Sequence, residues 1–159
     1  TTPYDDAIVQ LNSKLNTTYV TYGNLGKSKL EKQYVQDSNA MEVEEAVAVK
    51  RAVSKSSRLY NNATWDLVDA ADDKEFDVSK IEKNQLSKEL KDKSDKELEI
   101  YISQKKKERS TIQTAIQELN KKRQNFIDQN QKDATGELEN AMLTAIKKQA
   151  ENKNYIWEK

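Results

Sequence analysis

The sequence predicts an all-α protein: an elongated, mostly antiparallel helical bundle with two long helices and several short ones. Of its 159 residues, 35% are hydrophobic and 34% are charged, and the mean hydropathy is −1.00. Such a chain buries narrow apolar stripes and leaves its other faces in water, which suits helices better than a two-layer sheet. Three glycines and one proline are too few for the turns of a many-stranded fold.

Apolar residues near the start of the chain recur at the spacing of one helical face. They follow one another at steps of three and four: Ile8, Leu11, Leu15, Tyr19 and Tyr22. Pro3 suits the first turn of a helix, and Gly23 suits its end. The pattern therefore predicts a first helix that stops at Gly23.

A long helix is predicted near 27–60, where no glycine or proline interrupts the chain. Its apolar residues fall near one side: Leu30, Tyr34, Met41, Val49, Val53 and Tyr60. Alanine and serine make its second half thin, so a neighbouring element has room to approach closely. Residues 61–93 carry short apolar pairs between Asn, Asp and Lys, which predicts an irregular segment of one-turn helices.

A second long helix is predicted near 94–131. Ser94 followed by Glu97 is a capping box, in which each side chain bonds a free backbone N–H group of the other residue. A heptad seam follows, with an apolar centre and cationic flanks: Lys105, Arg109, Ile112, Ile116, Leu119, Arg123 and Phe126. Gly136 is expected to interrupt the helix before a last one near 137–152. We expect residues 1–159 to form a single domain.

Composition limits the chemistry that the chain can perform. Lys plus Arg and Asp plus Glu both number 27, so no net charge attracts nucleic acid or anionic lipid. There is no cysteine and no histidine, which removes thiol chemistry, the commonest general base and the commonest transition-metal ligand. No apolar run is long enough for a membrane span. We therefore expect no enzyme, no cofactor or metal, no nucleic-acid partner and no transmembrane segment.

Two short patterns suggest a metal site, and both are incomplete. FDVSKI, residues 76–81, contains the start of Asp-x-Ser-x-Ser, the metal-ion-dependent adhesion motif of von Willebrand factor A domains, but the fifth position is Ile81. Asp77 and Ser79 supply too few oxygens for Mg²⁺, so we expect them to cap a short helix instead. Residues 66–77 fail as an EF-hand loop because Ala71 replaces the required glycine and Asp77 replaces the required glutamate.

Two charged stretches leave alternative functions open. Acidic residues crowd the middle of the chain: Asp66, Asp69, Asp72, Asp73, Glu75 and Asp77. They suggest a carboxylate-based hydrolase, which needs a cleft holding two carboxylates with perturbed pKa values. The basic runs 105–109 and 121–123 suggest a binder of anionic polymers, whose affinity would fall steeply with salt. We expect the acidic stretch to face the basic helix within one molecule, which leaves the isolated chain monomeric.

The stretch EAVAVKRAVSKSSRLYNNATWDLVDA, residues 45–70, resembles a segment found in a group of exported bacterial proteins. In that group it follows a von Willebrand factor A domain, and a helix of the form AVxRAVSKSSxLY leads into WDLVDA. Three further pieces agree in order, so the resemblance covers most of the chain: YDDAIVQLNSKLNTTYVTYG, KKKERSTIQTAIQELNKKRQNFI and LENAMLTAIKKQAENKNY.

The resemblance implies where these residues lie in a larger protein, but it implies no reaction mechanism. It implies a helical carboxyl-terminal extension of a protein of the periplasm or cell envelope, with the A domain upstream of these residues. The amino terminus, which lacks Met and an apolar leader, agrees with a piece of a longer polypeptide. The metal-ligating residues of the A domain match no position of this sequence. The expected role is a non-catalytic structural or protein-interaction module, whose partner is the A domain or another protein.

Seven apolar residues are the candidates for a structural or partner-binding role: Trp65, Leu67, Val68, Ile112, Ile116, Leu119 and Phe126. Trp65 lies among asparagines and aspartates directly after a thin helix. One interpretation is that its indole fills the gap between the helices near 27–60 and 94–131, with the polar neighbours serving as turn formers and caps. The other is an exposed anchor for a partner or a sugar.

Overall fold

The computed structural model describes residues 1 to 157, and within that range it contains six α-helices and no strand. The helices are α1 (Asp5–Asn16), α2 (Gly26–Val43), α3 (Glu45–Lys55), α4 (Leu67–Ala70), α5 (Lys88–Lys91) and α6 (Asp95–Trp157). Two 3-10 turns, Val78–Lys80 and Lys83–Gln85, lie between α4 and α5. The predicted all-α class is confirmed.

Helix α1 lies between the α2–α3 pair and α6. Near its start, Arg123 of α6 donates to the Asp5 carboxylate at 2.9 Å. Just beyond its end, Arg109 of α6 donates to the Thr18 hydroxyl at 2.9 Å. Residue numbers therefore fall along α6 as they rise along α1, so the two helices are antiparallel. The predicted mostly antiparallel bundle is confirmed, with α1 and α3 as a parallel pair joined at their carboxyl ends by Lys55 and Asn16.

Helix α2 turns back into α3 at Glu44, where the sequence predicts one continuous helix near 27–60. Glu44 is extended, with φ −171° and ψ 143°. Arg51 and Lys55 of α3 both form ion pairs with Asp37 of α2, so the two helices make an antiparallel hairpin. The prediction of a single helix is wrong because helix propensity is a weak preference, which these tertiary contacts override. No glycine or proline marks the corner.

Helix α1 ends at Asn16, and the prediction that it continues to Gly23 is wrong. The chain leaves the helix through a turn at Thr17 and Thr18, and the residues that follow pair with a second segment through a bridge between Thr21 and Asp66. The Leu67 N–H donates to the Val20 carbonyl at 2.8 Å, and the Tyr22 N–H donates to the Trp65 carbonyl at 3.0 Å. Thr17–Thr21 is rich in β-branched residues, which favour extended backbone over helix. Gly23, with φ +73°, then turns the chain towards α2.

Helix α6 runs for 63 residues, so the two predicted helices near 94–131 and 137–152 are one. At 1.5 Å per residue it is about 95 Å long, and the molecule is elongated as predicted. The capping box at its start is confirmed: the Glu97 N–H donates to the Ser94 hydroxyl at 3.2 Å, and the Ser94 N–H donates to Glu97 at 3.5 Å. The helix continues through Gly136 because one glycine costs only about 1 kcal/mol in a helix that is already nucleated.

Replacing Gly136 by alanine is expected to stabilise α6 locally by about 0.5 to 1 kcal/mol, because alanine has the higher helix propensity. A Cβ atom at this position meets nothing within 4 Å, so the change introduces no clash. Circular dichroism at rising temperature should show more helix retained before the main transition. The matched control is Gly26→Ala, whose Cβ would lie 3.1 Å from the Thr21 side chain and should destabilise the fold. Equal effects at the two glycines would contradict this account.

The irregular segment 61–93 covers one side of α6. Its apolar residues form a core cluster with the first turns of that helix: Val20, Leu67, Val68, Val78, Leu86, Leu90, Leu98 and Ile102. The one-turn helices predicted here are therefore confirmed as short elements lying over a longer one. In the described part of the chain, no helix combines the length and the apolar character that a membrane crossing requires.

Candidate functional site

Trp65 lies in the core of the fold, with only 7% of its surface exposed. Its indole stacks on the Tyr19 ring, with 5.5 Å between the ring centroids. The surrounding buried cluster combines residues of α1, α3 and α6: Ile8, Leu15, Val49, Ala52 and Ile116. This is the gap-filling position that the core interpretation predicts, with α1 as a third neighbour. It is not the position of an exposed anchor.

Arg109 is buried beside this cluster, with 4% of its surface exposed. It binds Asp66 through two nitrogens, Nη1 to Oδ2 at 2.6 Å and Nη2 to Oδ1 at 3.2 Å. Nη1 also donates to Asp69 at 3.1 Å, while Nε and Nη2 donate to the hydroxyl and carbonyl of Thr18 at 2.9 and 2.8 Å. All five N–H groups of the guanidinium therefore have an acceptor. We call Arg109, Asp66, Asp69, Thr18 and Tyr19 the Arg109 cluster.

Asp66 joins three segments of the chain through one carboxylate, which has no solvent exposure. Besides Arg109, its oxygens accept from the Val20 N–H at 2.9 Å and from the Asp69 N–H at 3.1 Å, where Asp66 caps α4. Backbone and side-chain donors thus fill its acceptor positions. This arrangement explains why α1 stops early, since the chain just after the helix bonds Asp66 through the Val20 N–H and Arg109 through the Thr18 hydroxyl and carbonyl.

The surrounding groups stabilise the charged form of the Arg109 side chain. The Arg109 guanidinium carbon lies 4.0 Å from the centroid of the Tyr19 ring, a cation–π contact. Burial opposes the charged guanidinium, but hydrogen bonds and the charge of Asp66 raise the pKa of Arg109 above its ordinary value. Burial, together with the nearby charge of Asp66, raises the pKa of Asp69. Burial raises the pKa of Tyr19 as well.

The sequence predicted which two segments pair, but it did not predict that the pair is buried. It expected the acidic stretch to face the basic helix within one molecule, and Arg109 with Asp66 and Asp69, and Lys106 with Asp72, do so. The pattern gave no indication that Arg109 and Asp66 are buried, with 4% and 0% of their surfaces exposed. The available signal was the position of Arg109 in the apolar seam, seven residues before Ile116 and on the same helical face.

A second buried polar group fixes the α2–α3 hairpin on α1. The Asp37 carboxylate accepts from Asn12 at 3.0 Å, from Asn16 at 2.7 Å and from Lys55 at 2.8 Å, and it also pairs with Arg51. Burial opposes the charge of Asp37, but these hydrogen bonds hold its pKa below the ordinary value. We call these five residues the Asp37 cluster. A cavity of about 230 Å³ between α1 and α2 opens beside it.

The buried Lys55 gives the fold a pH dependence above neutrality. Its side chain is 1% exposed, and burial lowers its pKa from 10.5 to about 8, against the opposing effect of Asp37. Between these two values the unfolded chain binds more protons than the folded one. The contribution of Lys55 to the free energy of unfolding should therefore rise from pH 8 to pH 10, by at most about 1.4 kcal/mol per pH unit.

The measurement is urea unfolding of the wild type and of Lys55→Met at several pH values. The difference between the two unfolding free energies should increase from pH 8 to pH 10, whereas the exposed control Lys50→Met should show a constant difference. A constant difference for Lys55→Met would contradict the lowered pKa.

The remaining acidic residues act mainly as caps and turn formers. Asp77 caps the 3-10 turn Val78–Lys80 and accepts from the Ser79 N–H at 3.0 Å, as the sequence predicts. A cleft of about 290 Å³ places Asp77 near Glu99 and Lys106. Hydrogen bonds from the Ser79 side chain and backbone lower the pKa of Asp77. A general acid needs a raised pKa, so Asp77 does not supply one.

The basic runs are largely committed to contacts within the molecule. Of their seven cations, four form ion pairs: Lys105 with Glu108, Lys106 with Asp72, Arg109 with Asp66 and Asp69, and Arg123 with Asp5. Hydrogen bonds from Thr2, followed by the contact with Arg123, hold the pKa of Asp5 below its ordinary value even though burial opposes its charge. These contacts leave a weaker cationic surface than the sequence alone indicates.

The seam candidates of α6 pack against the other helices of the fold. Ile116 is fully buried with the Trp65 cluster, and Ile112 and Leu119 pack partly buried against it. Phe126 makes an edge-to-face contact with Tyr4, with 6.4 Å between the ring centroids. Leu67 and Val68 lie in the other core cluster, under the segment 61–93. Ile116, Leu67 and Val68 are therefore core residues, while Ile112, Leu119 and Phe126 are half-buried at the edge of the core.

Beyond Ile127, α6 leaves the body. We call residues 128–152 the arm and residues 1–127 the body. The arm is exposed throughout, apart from the half-buried Gly136. Its described side-chain hydrogen bonds stay within the helix, for example from Gln129 to Asp133 and from Thr144 to Asn140. Four apolar side chains are between 56% and 63% exposed there: Leu138, Met142, Leu143 and Ile146. The sequence predicted this helix but not that it would stand free.

Among the described residues, no group of three or more Asp or Glu side chains converges as a metal site would require. No family model, no curated protein and no solved structure matches the chain. The candidate functional surface is therefore defined by geometry alone, and it is the arm.

Proposed function

We propose that this chain is a non-catalytic protein-interaction module, in which the helical body holds out the arm as its binding surface. The observation that carries the proposal is the free-standing end of α6. Scattered apolar side chains are normal on a protein surface, but Leu138, Met142 and Ile146 recur at helical spacing on one exposed stripe. Such a stripe on a helix gains stability only when another protein surface covers it.

The body supports a structural rather than a chemical role. Its buried charges are bonded to one another: Arg109 to two carboxylates, and Asp37 to two cations. Asp66 is fully buried, so a substrate could not reach it without unfolding the site. Charges satisfied in this way hold elements in register and are poor acids, bases or nucleophiles. The hydrolase and polymer-binding alternatives are therefore less favoured.

The position in a larger protein remains part of the proposal. The resemblance of residues 45–70 and of three further pieces supports a place after a von Willebrand factor A domain in an exported bacterial protein. The amino terminus lies beside the base of the arm, because Tyr4 contacts Phe126, so an upstream domain would join the body at that end. The complete gene tests this point. An upstream A domain with a full Asp-x-Ser-x-Ser motif is expected, and a different upstream domain would contradict the position alone.

The function itself is tested by photo-crosslinking in the cell that makes the protein. A photoreactive amino acid replaces Met142 in the arm of the full-length gene product, or Leu59 in the body as the control. Leu59 is 94% exposed, so it is at least as accessible. We expect a discrete protein adduct from position 142 and none from position 59. No adduct from position 142, or the same adducts from both, would contradict an interaction role for the arm.

A further inference from the structure

A cleft in the body lies between two stretches of the chain, far from the arm. Its walls are the stretch 21–27, which leads into α2, and the stretch 84–91, which ends with α5, and its volume is about 370 Å³. The Gln85 amide donates to the Asn24 side chain at 2.6 Å and so joins the two walls. Leu86 lines the cleft and belongs to the same core cluster as Leu98, which lies about 45 Å along α6 from the start of the arm. We call this feature the lysine cleft.

Three lysines line the cleft, and none of its described lining residues is acidic. Lys27 belongs to the first wall, and Lys88 and Lys91 belong to the second. In the part of the chain that the structure describes, none of the three forms an ion pair. The clefts beside Asp37 and Asp77, by contrast, both contain carboxylates.

This local excess of three positive charges occurs in a chain whose acidic and basic residues are equal in number. Like charges that line one cleft repel one another, and a cleft lined by one sign of charge concentrates ions of the opposite sign. An anion in the lysine cleft would therefore relieve the repulsion. The charge of the cleft thus favours an anionic ligand.

Both walls are fixed to the core without a ligand. In the first wall, the Tyr22 N–H donates to the Trp65 carbonyl at 3.0 Å. In the second wall, Leu86 and Leu90 are both buried in the core cluster that includes the start of α6. The backbone positions of the three lysines are therefore set by the fold. A ligand has to order only their side chains, which lowers the entropic cost of binding.

The rest of the lining indicates a hydroxylated ligand. Ser87 makes no side-chain bond to α5, and Asn84 is exposed, so both are free to bond a ligand. Amide and hydroxyl groups both donate and accept hydrogen bonds, as sugar hydroxyls require. Among the described lining residues there is no aromatic ring on which a nucleobase could stack. The volume lies near the lower end of the range for small-molecule pockets, about 300 to 1,000 Å³.

We propose that the lysine cleft binds a phosphorylated sugar, that is, a small hydroxylated molecule that carries a phosphate monoester. Such an ester carries about 1.5 to 2 negative charges at pH 7 and offers three acceptor oxygens, which suits three lysines better than a singly charged group does. Lys27, Lys88 and Lys91 bond the phosphate, and Asn84 and Ser87 bond the sugar hydroxyls. The site binds its ligand without making or breaking a bond. It goes beyond the proposed function, because the arm takes no part in it.

Isothermal titration calorimetry of the chain with glucose 6-phosphate tests the proposal. We expect one site per chain. The triple variant Lys27→Gln, Lys88→Gln and Lys91→Gln should bind at least about tenfold more weakly, because three charge-assisted bonds are lost. The matched control replaces three exposed lysines outside the cleft by glutamine: Lys14, Lys50 and Lys107. It loses the same charge and should bind as the wild type does. Circular dichroism checks that both variants keep the fold.

Two further probes test the chemistry of the ligand. Glucose lacks the phosphate and inorganic phosphate lacks the sugar hydroxyls, so each should bind at least about tenfold more weakly than glucose 6-phosphate. No binding of glucose 6-phosphate at millimolar concentration, or an equal loss of affinity in the two triple variants, would overturn the proposal. Equal affinity for either simpler probe would overturn it as well. The crosslinking test of the arm at position 142 is independent of all these results.

Discussion

Replacing Arg109 by methionine is expected to lower the free energy of unfolding by about 3 to 5 kcal/mol at pH 7, the usual cost of removing one member of a buried ion pair. Methionine keeps much of the apolar stem, so the loss arises mainly from charge. Asp66 and Asp69 would remain inside the fold without their cation, and Thr18 would lose two donors. Urea unfolding followed by circular dichroism measures the change.

Two comparisons separate this effect from a general loss of packing. Lys107→Met removes an exposed cation two residues away and should change the unfolding free energy by less than about 0.5 kcal/mol. Asp66→Asn in the Arg109→Met background removes one of the stranded charges and should recover part of the loss. A loss below about 1 kcal/mol for Arg109→Met would show that the cluster is not buried as described.

The Arg109→Met protein should also lose stability as pH rises from about 4 to 7. Burial raises the pKa of Asp69 in the folded state above that of the unfolded chain, and without the guanidinium its charge no longer opposes this effect. The folded state then binds more protons in this range, so the free energy of unfolding falls as the pH increases. The wild type, in which Arg109 compensates the charges, should show a smaller decrease. Equal pH dependence in both proteins would argue against two stranded carboxylates.

Trp65→Ala is expected to cost about 3 to 5 kcal/mol, the range for an emptied buried aromatic site. The indole shares its cluster with residues of α1, α3 and α6, so alanine leaves a cavity where three helices meet. It also removes the ring that stacks on Tyr19, which itself covers the Arg109 guanidinium. The loss should therefore appear as a lower urea midpoint of the whole transition.

Tyr34→Ala is the matched control for this change. Tyr34 is 45% exposed on α2, so truncating it should cost well under the loss at Trp65. Changes at Trp65 and Arg109 should also be less than additive, because Tyr19 contacts both side chains. A midpoint that barely moves for Trp65→Ala would contradict the core position. Full additivity in the double variant would contradict the coupling through Tyr19.

The features that the sequence predicted correctly depend on residues that are close together in the chain. The all-α class follows from composition and period, and the capping box of Ser94 and Glu97 needs only three residues. Asp77 caps the next turn for the same local reason. Trp65 takes the core position, which is one of the two interpretations that the sequence left open.

The features that the sequence did not predict depend on partners far along the chain. The corner at Glu44 contains no breaking residue, and it exists because Asp37 meets Arg51 and Lys55. Helix α1 ends early because Asp66, some fifty residues away, bonds the Val20 N–H. A helical period gives the face of a residue and not its depth, so the seam position of Arg109 indicated that it faces Ile116's side of α6 but not that it is buried.

At Gly136 the error was to give a local signal too much weight. A local rule predicted that the helix ends at Gly136, but a single glycine in helical backbone only weakens α6 and does not stop it. The consequence for function is large, because a helix that stopped at residue 131 would have no arm. The candidate surface was thus hidden by a single residue.

Hydrogen–deuterium exchange along α6 tests most directly whether a body locked by the Arg109 cluster carries a bare arm. In dilute solution, amides from Leu98 to about Ile116 should exchange only on global unfolding, as should the Val20 amide that Asp66 binds. Amides of residues 130–152 should exchange much faster, since an uncovered helix frays with a small free energy. A sharp fall in protection near residue 127 is the predicted result. Uniform protection from residue 98 to residue 152, or a Val20 amide that exchanges as fast as the arm, would contradict the account.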